Sequence, residues 1–200
     1  MNKEITTFIF DCFGVICDPI ISNWYRATSS KNDFIDTQFN NVLRDFDLGI
    51  LSENDLADYF LNYKGIDSTR ENLLKEIDSY FKIDQNLLNT IKKLKDKGYK
   101  TALLSNANNS FFERKIYKEY PEFKEAFDEI VISSMVNMIK PDSPIYLHAL
   151  QKINSKPENC LFIDDNKQNV DAAISLGING LVYIDSSHFV EYVKKIGIEI

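Results

Sequence analysis

The sequence predicts an α/β fold built on a parallel sheet, with a helical insertion close to its start. Two observations carry this. Short apolar runs, bounded by turn or helix signals, alternate with amphipathic stretches along most of the chain. The alternation fails once, between Asp18 and Lys82, where only helical patterns occur.

In order, Thr6–Phe10 is the first buried strand. The insertion follows at once. Phe34–Phe46, Glu53–Tyr63 and Arg70–Phe81 are its clearest helical patterns, and Ser52 followed by Glu53 and Asp55 marks a helix start. Four strands then follow, Lys100–Leu104, Glu129–Ser133, Cys160–Ile163 and Gly180–Ile184. The amphipathic stretches Gln85–Lys97, Asn109–Glu119, Pro144–Ile153 and Asn166–Leu176 read as the helices around them. Gly98 and Gly177 stand just past two of these helices, where a C-cap favours positive φ. Strand alternating with helix gives βαβ units, hence a Rossmann-like parallel sheet covered on both faces. The expected division is an α/β core from 1–17 and 83–200 and a helical cap from 18–82.

Composition narrows the function. The hydrophobic content of 44% and charged content of 26% belong to an ordinary globular protein rather than a disordered one. A net charge of −7 argues against a nucleic-acid face and against an anionic membrane surface. No apolar run is long enough to span a bilayer. Asp11 interrupts the N-terminal apolar stretch, and no small-residue cleavage site follows, so a cytoplasmic protein is expected. Cys12, Cys17 and Cys160 are odd in number and lack CxxC spacing, which fits reduced thiols. His148 and His188 are the sole histidines, which disfavours a cysteine–histidine enzyme.

In an open parallel sheet, ligands bind beyond the carboxyl ends of the strands. Read there, the first strand ends in Asp11, the second in Ser105 and Asn106, and the fourth in Asp164 and Asp165. Lys140 falls between the third and fourth strands. Taken singly, each of these also fits a turn, a helix cap or a surface position. Together, and in this order, they describe a rim of three carboxylates and one lysine. Carboxylates with carbonyls and water suit Mg²⁺, a hard cation that prefers oxygen. The metal and the lysine offset the charge of a phosphate and of a nucleophilic carboxylate, while Ser105 and Asn106 offer hydrogen bonds to phosphate oxygens.

These residues give the chain its resemblance to the haloacid dehalogenase superfamily, made mostly of Mg²⁺-dependent phosphatases. FDCFGVI resembles the first motif, LLSNAN the second, Lys140 in IKPDSPIY the third and FIDDNKQNVDAAISLGI the fourth. The resemblance implies that Asp11 is both nucleophile and metal ligand. It implies that the Phe13 backbone carbonyl and Asp165 complete the metal site, with Asp164 behind them. Ser105 and Asn106 would bind phosphate, and Lys140 would hold the charge of nucleophile and phosphate. The 18–82 insertion matches the family's cap, which closes over the site and reads the leaving group.

One position departs from the pattern. Phosphatases of the family usually carry a second Asp two residues after the nucleophile, which protonates the leaving group and activates water. Here that residue is Phe13, a substrate-side aromatic. Losing a positioned acid–base group costs about 10²–10⁴-fold in rate. Three functions remain open. The first is hydrolysis of a small phosphorylated metabolite, with water or a cap residue in place of the acid and a preference for good leaving groups. The second is 2-haloacid dehalogenation, in which Arg26 or Arg44 would attend the halide. It is disfavoured by the adjacent acids Asp164 and Asp165. The third is a non-catalytic binder of a phosphorylated ligand or a protein. Phe13 is expected to pack against the cap. The cap aromatics Trp24, Tyr25, Tyr59, Phe60 and Tyr63 are expected to be core rather than substrate contacts.

Overall fold

A computed structural model describes residues 4–28 and 37–200. The start of the expected Phe34–Phe46 helix lies outside the described residues. The five strands are β1 (Thr7–Phe10), β2 (Lys100–Ser105), β3 (Glu129–Ile132), β4 (Cys160–Asp164) and β5 (Asn179–Val182). All pair in parallel, in the order β3-β2-β1-β4-β5. The order reverses direction at β1 and β4, so the crevice for a ligand opens beyond the carboxyl ends of those two strands.

β1 and β4 are buried along their whole length, which is why they read as near-continuous apolar runs. Their side chains alternate between two cores. Phe8 and Phe10 face a cluster with Leu88, Ile91 and Leu94 of α5 (Gln85–Asp96) and Phe189 of α9 (Ser186–Lys195). Ile9 and Phe162 face the other, with Tyr146 and Leu150 of α7 (Ser143–Ile153) and Ala173 of α8 (Lys167–Ser175). Each fully buried phenylalanine here is worth about 1.5–3 kcal/mol of apolar transfer.

Four helices form the insertion: α1 (Ile20–Thr28), α2 (Thr37–Asp47), α3 (Glu53–Lys64) and α4 (Arg70–Asp78). The predicted start of α3 is a complete capping box, with Ser52 and Asp55 each accepting a backbone N–H of the other. Gly65 ends that helix in the left-handed conformation. The indole of Trp24 donates to Glu76 at 3.0 Å and ties α1 to α4. Trp24, Tyr25 and Phe60 are buried in the cap interior, in line with the expectation for them; Tyr59 is half-buried and Tyr63 exposed.

The chain leaves and re-enters the core side by side. Asp18 N donates to the Lys82 carbonyl at 3.0 Å, and Asp84 N to the Ile16 carbonyl at 2.8 Å. Above this stem the cap sits down on α6, a helix running from Asn109 to Glu119 through a π-helical turn at Phe112–Ile116. Arg114 of α6 bonds Glu53 of α3 and Asp78 of α4, each at 3.0 Å through its Nη2. The apolar cluster runs without interruption from β1 through Phe111 to Phe46 and Ile77 of the cap.

Two elements depart from expectation. The helix over Asn109–Glu119 is not regular, because of the π turn. β5 runs from Asn179 to Val182 rather than from Gly180 to Ile184, and Tyr183 N, donating to the Asp164 carbonyl at 2.9 Å, closes its last pair with β4. No described helix is long and apolar enough to cross a membrane.

Candidate active site

Asp11 stands one residue past β1, and its N–H donates to the Ile163 carbonyl at 2.9 Å. That bond extends the β1–β4 pairing and fixes the carboxylate at the rim. Oδ1 accepts from Cys12 N at 2.7 Å and lies 2.8 Å from Lys140 Nζ. Lys140 also reaches Asp164 Oδ2 at 2.7 Å, with its side chain only 1% exposed. Two buried carboxylates therefore share one buried ammonium.

The neighbours of this triad hold it rather than fill it. Asn169 Nδ2 donates to both oxygens of Asp164, and Asn166 N to Oδ1. Asp164 is thereby committed to Lys140 and to the loop after β4. The side chain of Asn106 grips the Lys140 backbone, its Nδ2 donating to the carbonyl and its Oδ1 accepting the N–H, both at 2.9 Å. The expected phosphate contact of Asn106 is thus replaced, for its amide, by a clamp on the lysine.

Burial raises the Asp11 carboxyl to about 8, outweighing Lys140, and the charge of Asp164 adds to the rise. For Lys140, burial alone would lower the ammonium, but Asp11 and Asp164 together hold it above its ordinary value. The two shifts describe one state. Lys140 keeps its proton, and the Asp11 carboxyl binds its own more tightly than an ordinary carboxyl does.

Asp165 follows β4 on the same rim, its carboxyl raised by partial burial and by Asp164. Carboxylate oxygens of Asp11, Asp164 and Asp165 come within 4.8 Å of one another. Gly14 makes this approach possible. It has φ +93°, and any Cβ there would overlap the Asp165 carboxylate. Ser105 closes the other side. The register pairs Phe10 with Leu103, so Asp11 and Ser105 end adjoining strands. The Ser105 hydroxyl is fully buried and has no hydrogen-bond partner among the described residues. An all-oxygen donor set beside an unused hydroxyl suits a hard divalent cation and an anion.

A cavity of about 160 Å³ lies between cap and core, next to this rim. Its walls are mostly apolar, with Ile20, Leu43, Leu56 and Leu74 from the cap facing Phe13 and Ala107. Phe13 meets Phe111 and Phe112 edge-on, at centroid distances of 5.8 and 6.0 Å. Its aromatic partners therefore belong to α6 of the core, not to the cap. Neither Arg26 nor Arg44 lines this cavity, and Arg44 pairs with Asp142 at 3.4 Å. Arg114, which does line it, is already engaged by Glu53 and Asp78.

One lining residue escaped the sequence reading. Asp47 ends α2, and burial raises its carboxyl to about 7 against the opposing pull of Lys140. The one hint in the sequence, an acid in the last turn of a helix opposing the helix dipole, applies equally to Asp45.

A buried aspartate, a buried lysine and a second acid stand together at the mouth of a parallel sheet, under a helical cap. The chain belongs to the haloacid dehalogenase-like hydrolase family, whose profile matches residues 5–177. It is 30% identical over 105 residues to a sesquiterpene phosphatase of Aspergillus oryzae, a match covering 52% of each chain. It spans about half the length of that relative, and less of some other curated relatives. A predicted HAD-like hydrolase from Porphyromonas gingivalis superposes with a TM-score of 0.77 at 21% identity, covering 98% of this chain and 99% of that one. A HAD family enzyme of Bacteroides thetaiotaomicron, solved with magnesium and inorganic phosphate, superposes with a TM-score of 0.73 at 22% identity, covering 92% of this chain and 98% of its own.

Proposed function

We propose that this hydrolase cleaves small phosphate monoesters through an aspartyl-phosphate on Asp11, with Mg²⁺ as its cofactor. One observation carries the reading: Asp11, Lys140 and Asp165 share a rim with a buried Ser105 hydroxyl that no other described residue uses. The same arrangement supports a division into a core of 1–17 and 83–200 and a cap of 18–82, meeting at the paired stem. Three unpaired, buried thiols favour a reducing compartment such as the cytoplasm.

Asp11 and Asp165, with the Phe13 carbonyl, would hold the cation, which when bound offsets the charge of the phosphoryl oxygens. Asp11 attacks phosphorus in line with the leaving oxygen. Lys140 keeps its proton and neutralises charge on nucleophile and phosphoryl group, while Ser105 donates its spare hydrogen to a phosphoryl oxygen. Asp164 and Asn106 act through Lys140, one at its ammonium and one at its backbone. The apolar walls of the cavity favour an ester whose alcohol is apolar, and the cap keeps water from it. The Bacteroides enzyme solved with magnesium and phosphate is consistent with this use of the fold.

The test is phosphate release from aryl, acyl, alkyl and sugar phosphates, with Mg²⁺ and with chelator, beside halide release from 2-haloacids. Mg²⁺-dependent phosphate release is expected, and halide release none. Halide release without metal would overturn the reading, as would a folded protein that releases neither product.

Gly14 offers a separate check on the metal corner. Gly14→Ala forces a strained left-handed backbone, costing about 1–3 kcal/mol, and pushes Asp165 aside. Titration calorimetry is expected to give Mg²⁺ affinity weaker by about 10–100-fold, the range for a displaced metal-site neighbour. Unaltered affinity would remove Asp165 from the site.

A further inference from the structure

We propose that Asp47, at the end of cap helix α2, is the general acid and base of this site and takes the role that Phe13 leaves vacant. The proposal rests on the phosphomonoesterase reading above. Asp47 lines the cavity together with Phe13 and Asn106, so it faces the space where a leaving group must lie. The other charged groups on that wall, Glu53, Asp78 and Arg114, satisfy one another. The Asp47 carboxylate has no ion pair or hydrogen bond among the described residues.

The backbone around Asp47 is fastened to the catalytic loops. The Ser133 hydroxyl donates to the Asp47 carbonyl and accepts from Ala107 N at 2.8 Å. Asn108 Nδ2 donates to the carbonyls of Phe46 and Leu51, each at 3.1 Å. Gly49 packs on Ser134 so closely that a Cβ there would lie 3.0 Å from the Ser134 Cβ. These bonds join the end of α2 to the loops after β2 and β3, the first of which carries Asn106. A cap residue is thus held at a set height over the core site. Such positioning is what acid–base catalysis requires.

The chemistry balances. Asp11 attacks phosphorus as the bond from phosphorus to the leaving oxygen breaks, and that oxygen keeps the electron pair. It takes the Asp47 proton and departs as an alcohol. Asp47, now a carboxylate, removes a proton from the water that attacks the phosphoryl group on Asp11. Phosphate leaves, Asp11 regains its carboxylate and Asp47 its proton. Burial holds the Asp47 carboxyl at about 7, so both of its forms are available near neutral pH.

The experiment measures kcat with Mg²⁺ for wild type, Asp47→Asn and Asp47→Glu. The substrates are phosphate esters of rising leaving-group pKa, from acetyl and p-nitrophenyl phosphate to simple alkyl phosphates. Asp47→Asn is expected to lose about 10²–10⁴-fold on alkyl esters and less than about tenfold on p-nitrophenyl and acetyl phosphate, which depart without a proton. Asp47→Glu is expected to recover part of the alkyl activity. A loss of equal size on every ester, or no loss, in a variant melting like wild type overturns the proposal and leaves the phosphatase reading standing. Wild-type protein inactive on the whole series overturns both.

Discussion

Asp11→Asn is expected to abolish phosphate release, by at least about 10⁴-fold, as loss of a nucleophile does, and to melt no lower than wild type. The first half follows from the role proposed for Asp11, since an amide cannot attack phosphorus. The second follows from its surroundings. Asp11 and Asp164 share the charge of one buried lysine. Burial holds the Asp11 carboxyl at about 8, above the ordinary value of about 4. A carboxyl raised in the folded state binds its proton more tightly there than in the unfolded chain. Ionising it therefore costs stability that grows as pH rises from about 4 to about 8 and is constant above. Asn carries no such cost, and Lys140 keeps Asp164 as its partner. In metal-free buffer the melting temperature of the variant minus that of wild type should climb over that window and then level off. A variant melting below wild type at pH 9 would mean that the Asp11–Lys140 pair is a net stabiliser. The expected result is a site that gives up stability for reactivity.

The sheet was legible because of how it is buried. β1 and β4 lie at the centre, covered on both faces, so their sequences carry no polar interruption until the rim. The first polar residues after them, Asp11 and Asp165, then stand where an open parallel sheet binds its ligands. What the sequence hid was mostly tertiary. Asn106 reads as a phosphate contact because it follows Ser105, yet its amide is drawn to the backbone of Lys140, 34 residues away. Phe13 reads as an aromatic that packs against the cap, and it does share a cavity wall with cap residues, but its aromatic partners Phe111 and Phe112 come from the π-helical α6. The last helix, Ser186–Lys195, went unassigned. Only Phe189 and Val193 are fully buried on it, with Val190 and Tyr192 packed at the edge of the core, a short apolar face near the end of the chain. Asp47 was overlooked for the same kind of reason. Nothing local in RDFDLGI separates Asp47 from Asp45, and only the docking of α2 on the loops after β2 and β3 sends one of them to the cavity.

Lys140→Ala is expected to cost about 3–5 kcal/mol of stability near pH 7, the usual penalty for deleting one partner of a buried ion pair. It is also expected to remove phosphate release. Lys140 is the one cation bonded to either Asp11 or Asp164 among the described residues. Without it, Asp164 remains fully buried with only the neutral donors Asn166 and Asn169. Asp11, already protonated more readily than an ordinary carboxyl, can escape by holding its proton. The cost is that of keeping carboxylates ionised in a buried site. It is therefore largest at alkaline pH and fades as pH falls toward the unfolded carboxylate value of about 4. Urea unfolding at pH 8 and pH 5 measures this directly: the gap between variant and wild type should narrow at the lower pH. Mg²⁺ sharpens the distinction. A cation held by Asp11 and Asp165 supplies positive charge at one edge of the triad, so it should recover part of the lost stability. It is not expected to restore turnover, because in the role proposed for Lys140 its charge beside the phosphoryl oxygens would still be missing. Recovery of stability without recovery of rate would separate the structural duty of Lys140 from its catalytic one.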